Sequence, residues 1–563
     1  MQSSELISRD EPHGEVVQAT VTPPTKSWLR RFGPAILSLA VIVGGALAYT
    51  LGMSSYFAFD QDEVLQHHAL ACWYYPLNTL NNPFPAGCGL WWLRLPGTGT
   101  MWPLRSYQHV GVLQSVLYFP LFLMWKHPYS ARLFGILLIG VQAFFLSRTY
   151  KRSPVPIFLG ILCLLPYTYH HLVDIGHLTV HTMLVCAFQL LLFKFAASST
   201  RPRDLVLSAT LGLILAVGVH VRISFLFLVP ALLLQVGVFF IVKYRSLRSL
   251  GNRASTAARS LLAMAAALMV TFVAPTLLIF FSIDVNSAPY YMVMVANSSA
   301  DHVTNLVSIS QKFAAMSGFL TEPMRTAHIL LTRFNSPEWV LAMYTYGAMG
   351  FFVISVCAAR TWQLRGWIVL NLFCAVLSVL AVSTSSKSYG AHNAAPCLVF
   401  IISAAVAAFS GDIAKRKLLW RSAQVAFLAC FLAANLYCYK SLINYSGGAA
   451  RPYHRNLPQL FEFVNENYAR SHLQVTLDWN SYYTKSLYGP KEQAVLCFDG
   501  LPPSHYALAR DVAAKLGRNI IFITNYPPDT RIESLRQTFP QVERVQVPFD
   551  VGGWQLWVAK VAA

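Results

Sequence analysis

Long apolar runs separated by short polar links dominate the chain from residue 34 to residue 439. They lie near 34–52, 109–125, 133–147, 154–169, 178–193, 205–221, 223–242, 261–283, 339–359, 366–382, 393–410 and 422–439. A helix needs about 20 apolar residues to cross the hydrocarbon of a bilayer, and several runs reach that length. In lipid every backbone polar group must be satisfied within its own segment, so runs at this density predict helices. The pattern changes after Ser446-Gly447-Gly448, which reads as a hinge. Beyond it, Leu457–Ala469 carries an amphipathic helical period and Leu473–Trp479 alternates as a strand. Ala494–Phe498 and Asn519–Thr524 are short apolar runs with a helical Tyr506–Leu516 between them, and Val545–Phe549 and Trp554–Val561 read as closing strands. The expected fold is a polytopic α-helical membrane protein with a C-terminal extracytoplasmic α/β domain over 449–563. That domain lacks a Gly-rich phosphate loop, which argues against a nucleotide site and leaves a recognition or lid role beside a stabilising one.

Composition supports the membrane assignment: 55% of residues are hydrophobic and 12% charged. The net charge of +19 raises nucleic acid as a partner, but the positions of the basic residues exclude it. They gather in links between apolar runs, at Arg30-Arg31, Arg148–Arg152, Lys194–Arg203, Lys243–Arg259, Arg360–Arg365 and Lys415–Arg421. This is the positive-inside signature. It holds throughout only if residues 109–125 stay on the outer side as a juxtamembrane or re-entrant helix. About eleven spans then follow by alternation. The first outer loop 53–108, the turns at 170–177 and 220–222, segments 284–338 and 383–392, and the tail all face outward. Residues 1–25 read as a disordered cytoplasmic tail, and 26–440 as the transmembrane module with an uncleaved first anchor. The expected location is a bacterial inner membrane. Cys72 and Cys88 share the outer first loop, where a disulfide and two unpaired packing residues are both open.

Between residues 50 and 440 there are ten acidic residues, and three of them fall in Asp60-Gln61-Asp62-Glu63. Carboxylates at the edge of hydrocarbon are costly, so a cluster there points to function. The alternative is a solvated loop. Arg94 and Arg105 follow in the same aromatic loop, with Trp91, Trp92, Trp102 and Tyr107, rings that could stack on sugars or anchor in the interface. Arg222 lies in a tight outer turn against the inside bias, where a guanidinium suits a lipid phosphate or snorkels to head groups. Lys387 and His392 form a second outer polar cluster. His170, His171, His177 and His181 surround Asp174. The i, i+4 spacing of His177 and His181 fits two metal ligands on one helix face, but the Glu of a metalloprotease motif is missing. No cofactor is assigned, and a divalent metal has no further support.

Asp62-Glu63, the segment Ala131-Arg132-Leu133-Phe134-Gly135 through Ser147-Arg148, Arg222 before Pro230, and Lys387 to Pro396 together carry a resemblance. The chain resembles the GT-C membrane glycosyltransferases, in particular the group holding protein O-mannosyltransferases and the lipid A aminoarabinose transferase. The resemblance implies transfer of a sugar from a polyprenyl-phosphate donor to an acceptor outside the cytoplasm, with inversion. It implies Asp62 as general base with Glu63 or Asp60 in support, and Arg222 with Arg94 or Arg105 on the donor phosphate. Asp174 matches a second family acid, except that histidines surround it where Arg or Glu is usual. His109 stands before Tyr118-Phe119-Pro120 loosely as in the family's His-Pro-Pro segment, without the two prolines. The implied partners are the lipid-linked donor, a glycan, lipid or protein acceptor, and membrane lipids. A multispan transporter or flippase and a non-catalytic scaffold are the competing readings. A transporter predicts charges buried mid-span, whereas the charges here collect at span ends.

Overall fold

The computed structural model describes residues 28–54, 67–75, 92–94, 101–103, 105–107, 110–164, 167–168, 176–198, 200–249, 251, 253–280, 309–314, 317, 336–384, 395–411, 417–445, 457–477, 485, 487–497, 503–524, 535–551 and 553–561. After α1 (Trp28–Ser54) and the short α2 (His68–Tyr74), the first loop contributes two small antiparallel ribbons. One pairs β1 (Trp92–Arg94) with β2 (Met101–Pro103), and the other pairs β3 (Arg105–Tyr107) with β4 (Val110–Gly111). The membrane module continues with α3 (Leu113–Met124), α4 (Pro128–Tyr150), α5 (Pro154–Leu162), α6 (Gly176–Ala197), α7 (Arg201–Val221), α8 (Val229–Ser249), α9 (Ala254–Phe280), α10 (Glu338–Ala358), α11 (Trp362–Ser383), α12 (Leu398–Ser410) and α13 (Lys417–Tyr445).

Nine helices among the described residues are long and apolar enough to cross a membrane. The chain is an integral membrane protein of polytopic helical class. Two further expected crossings fall on the shorter α5 and α12. The run at 223–242 is divided: Ile223–Phe227 forms a 3₁₀ turn before α8 begins at Val229. Proline and polar caps set several helix starts. Pro128 occupies the first turn of α4, where the side chain of His127 accepts from the Tyr129 N–H at 3.1 Å. Thr361 caps α11 by accepting from the Leu364 N–H at 3.2 Å. Arg148, Lys194 and Arg248 fill the last turns of α4, α6 and α8, complementing the helix dipoles.

With no hydrophobic force between helices in lipid, small residues and polar bridges hold them together. An added Cβ at Gly212 would stand 2.1 Å from the Leu268 carbonyl, so α7 and α9 touch backbone to backbone. Gly347 performs the same role between α10 and α13, where a Cβ would meet the Phe431 nitrogen at 2.9 Å. A buried amide network ties five helices. Gln189 on α6 donates to the Asn371 side-chain carbonyl on α11 at 2.8 Å, and Gln235 on α8 reaches the same oxygen at 3.2 Å. Ser403 on α12 donates to Gln189 at 2.7 Å and meets the Tyr150 hydroxyl of α4 at 2.7 Å. At the basic ends, Lys243 of α8 and Asp204 of α7 form a buried ion pair at 2.8 Å.

The tail is a five-stranded sheet in the order β6 (Ala494–Cys497), β5 (His472–Thr476), β7 (Asn519–Thr524), β9 (Gln555–Ala559), β8 (Val542–Val545). The first three strands are parallel and the last two join antiparallel. α14 (Leu457–Tyr468) covers one face through Leu460, Phe461 and Val464 against Ile521 and Ile523. α15 (Pro503–Leu516) covers the other through Tyr506 and Ala509 against Leu473 and Phe522. The α/β reading of the tail therefore holds, with one correction. The strand expected at Val545–Phe549 is β8, ending at Val545. Val547 and Phe549 follow as coil and still pack on the α14 side, so their alternation reflects packing without ladder pairing.

Candidate functional site

The described residues that border the first outer loop converge at the end of the bundle opposite the Arg148–Arg152 cluster. α4 fixes this polarity, since its start carries the loop contacts and its end carries the basic residues. His67 enters α2 fully buried. Its ring lies 4.3 Å from that of Tyr118 on α3 and 5.8 Å from Phe134 on α4. Burial pushes its imidazole down to about 3, so it remains neutral and serves as an anchor. The Tyr118 hydroxyl in turn bonds Ser130 at the start of α4 and meets the Tyr488 hydroxyl at 3.1 Å.

Tyr488 belongs to the C-terminal domain, so the domain is docked on the base of the loop. Tyr75, at the end of α2, makes the tightest link. Its hydroxyl donates toward the carbonyls of Leu487 at 2.8 Å and Gly489 at 2.9 Å, and accepts from the Gly489 N–H at 3.2 Å. Lys126 and Lys491 flank the neighbouring Tyr74 ring, at 4.3 and 5.2 Å from its centroid. Behind this contact Lys485 is wholly buried, donating to Asn465 and to Gln493.

The far end of the loop closes on α7. β3 packs against α2 and pairs with β4, with Arg105 opposite Gly111. β4 lies on the end of α7, where a Cβ at Gly111 would stand 2.1 Å from the His220 carbonyl. Only glycine allows that approach. α3, with 12 residues, thus starts beside the end of α7 and stops beside the start of α4, so both of its ends lie at the same end of the bundle.

Arg222 lies in the turn that ends α7. Its backbone is extended, with its N–H on the Gly218 carbonyl at 3.2 Å and its own carbonyl accepting from Phe225 at 3.0 Å. A Cβ at Gly218 would meet the Phe225 ring at 2.4 Å, so this glycine lets the turn fold flat. Phe225 packs edge-on against the buried His181 at 5.0 Å. His181 therefore belongs to the Arg222 turn.

Asp60, Asp62, Glu63, Asp174, Lys387 and His392 lie outside the described residues, as do His170 and His171. Arg94 and Arg105 are described as backbone in β1 and β3, and His177 as backbone in α6. What the structure joins is the frame: His67, α2, β3, β4, His220 and Arg222 form one packed path. The sequence reading gave no role to His67 or Tyr488, and noted Tyr118 and Arg132 only within resemblance motifs, whereas all four take part in packing this end of the bundle. Arg132 is buried in the second turn of α4, its guanidinium 6.0 Å from the Tyr129 ring centroid. Its signal was available, because an arginine at the outer start of an apolar helix breaks the inside bias as Arg222 does.

No family model and no curated protein matches the chain. Among solved structures it is similar to ArnT from Cupriavidus metallidurans bound to undecaprenyl phosphate, at 10% identity and a TM-score of 0.47 over 94% of this chain and 98% of that one. It is also similar to the apo oligosaccharyltransferase of Archaeoglobus fulgidus, at 11% identity and a TM-score of 0.39 over 89% of this chain and 70% of that one.

Proposed function

We propose that the chain transfers a sugar from a polyprenyl-phosphate donor to an acceptor on the outer side of the membrane, with inversion. Asp62 is the general base, supported by Glu63 or Asp60, with Asp174 as a second acid. It removes the proton of an acceptor hydroxyl as the oxygen attacks the sugar carbon from the face opposite the phosphate. The sugar–phosphate bond breaks, and the electron pair leaves on the lipid phosphate. Arg222, with Arg94 or Arg105 and with Lys387 and His392, stabilises that developing charge. An ordinary aspartate, with a pKa of about 3.9, is a weak base, and a membrane-edge pocket supplies the desolvation that raises it.

The observation that carries this reading is the packed path from His67 to Arg222. His67 is fixed on Tyr118, and β4 is fixed on His220. From Gly111 to Tyr118 the rise along the chain is about 10 Å at 1.5 Å per helical residue. The chain from Asp62 to His67 reaches at most about 17 Å. These lengths are compatible with a meeting of Asp62 and the Arg222 turn, and we take that meeting as part of the proposal. Purified protein incubated with a panel of polyprenyl-phosphate sugars tests the reading. Asp62→Asn is expected to stay folded and membrane-inserted while losing about 10²–10⁴-fold in transfer, the usual worth of a general base. Transfer retained at wild-type rate in Asp62→Asn would remove the base, and no turnover with any donor would remove the reaction class.

A further inference from the structure

A cavity of about 930 Å³ lies between α5, α10, α12 and α13, away from the loop frame. Its walls are apolar, with Ile157, Phe351, Val406 and Leu428 among them. Met349 and Val353 line it and are exposed, so one side faces the surrounding lipid. Along α12 it extends from Leu398 to Ser410, which is about 18 Å of helix, slightly more than one leaflet of a bilayer core.

Polar groups gather at one mouth, where Arg152, Ser153 and Ser410 line the cavity. Arg152 is exposed and donates one N–H to the Ser410 carbonyl at 2.6 Å. The neighbouring Arg421 is turned inward, onto the carbonyls of Ala408 and Gly411 and the side chain of Gln424. Among the described residues that line this mouth, Arg152 is therefore the cation that presents to solvent, and the N-terminus of α5 opens beside it at Ser153. We propose that the groove binds one anionic phospholipid from the leaflet on the basic face, with its phosphate on Arg152 and its acyl chains along α12.

Charge and size select this occupant. The groove, about 930 Å³ and about 18 Å long, has room for acyl chains lying along α12. The guanidinium matches a phosphate oxygen pair, which a zwitterionic headgroup offers with a competing cation attached. The Arg152 mouth lies at the other end of α4 from the loop frame, along a helix of 23 residues and about 34 Å. It holds whether or not the chain transfers sugars.

The test is lipid retention by the purified full chain, read by native mass spectrometry. Phosphatidylglycerol and phosphatidylcholine of identical acyl chains are added in competition. Wild type is expected to keep one phosphatidylglycerol with about tenfold preference, the worth of one charge-assisted hydrogen bond. Arg152→Lys keeps the preference, Arg152→Gln abolishes it, and Val406→Trp reduces retention of both lipids. An unchanged melting temperature in Arg152→Gln confirms that the fold is intact. Equal retention of the two lipids by wild type, or an undiminished preference in Arg152→Gln, overturns the proposal. So does displacement of phosphatidylglycerol by polyprenyl phosphate in an Arg152-dependent way, which would make the groove a donor site.

Discussion

Replacing Tyr75 by phenylalanine removes one oxygen from the contact between the first loop and the C-terminal domain. That oxygen serves three backbone groups, the carbonyls of Leu487 and Gly489 and the N–H of Gly489. Tyr75 is fully buried, so water does not replace it without rearrangement. A single hydrogen bond nets about 1 kcal/mol, and stranding a buried donor or acceptor costs about 1–3 kcal/mol. A loss near 2 kcal/mol shifts the docking equilibrium about thirtyfold toward release. Hydrogen exchange followed by mass spectrometry reads this directly. Peptides covering 67–75 and 487–493 should exchange faster together, while β5 and β7, central in the sheet, stay protected. If transfer activity depends on a fixed loop base, it should fall in the same variant with the sheet intact. Unchanged exchange at 487–493 would refute the assignment of Tyr75 as the clamp.

The Lys243–Asp204 pair should respond asymmetrically. Asp204→Asn leaves Lys243 its carbonyl contacts to Phe195 and Ser198, whereas Lys243→Met strands a carboxylate whose Oδ1 has no partner among the described residues. A melting-temperature series should show Lys243→Met as the more damaging change, at about 3–5 kcal/mol, with the double variant partly restored. Gly111→Ala should push β4 off His220 and lower transfer by an order of magnitude or more, with little loss of helix content by circular dichroism. Lys485 is pushed down to about 7 by burial. The unfolded chain therefore keeps this proton up to about pH 10 while the folded chain releases it above about 7, and domain stability rises with pH across that window. Denaturation at several pH values should show a slope in wild type that flattens in Lys485→Met.

The helices were legible because lipid makes one demand on every residue of a span, and the demand shows as uninterrupted apolar runs. Arg222 stood out because it lies between two apolar runs and away from the basic clusters, and the structure puts it in the turn that ends α7. The 12-residue length of α3 was foreshadowed by charge alternation alone, since no crossing could be granted to 109–125. Other features had no such signal. The Tyr75 to Gly489 contact joins positions 414 residues apart, and nothing in a single sequence marks that pairing. His67 gave no sequence signal, because its burial comes from Tyr118 and Phe134 on two different helices. The end of β8 was misplaced because Val547 and Phe549 face the same layer as a strand would, without the ladder.

The amide knot around Asn371 has a mechanical consequence. It welds α4, α6, α8, α11 and α12 into a stator, whereas α10 and α13 join each other through Gly347 and through Gln424 on Ser355 at 2.8 Å. The seam between these two bodies is the lipid-facing groove. Since α13 is the last helix of the bundle before the tail, rocking along that seam moves the helix nearest the tail in sequence, and the bilayer's own lipids set its stiffness.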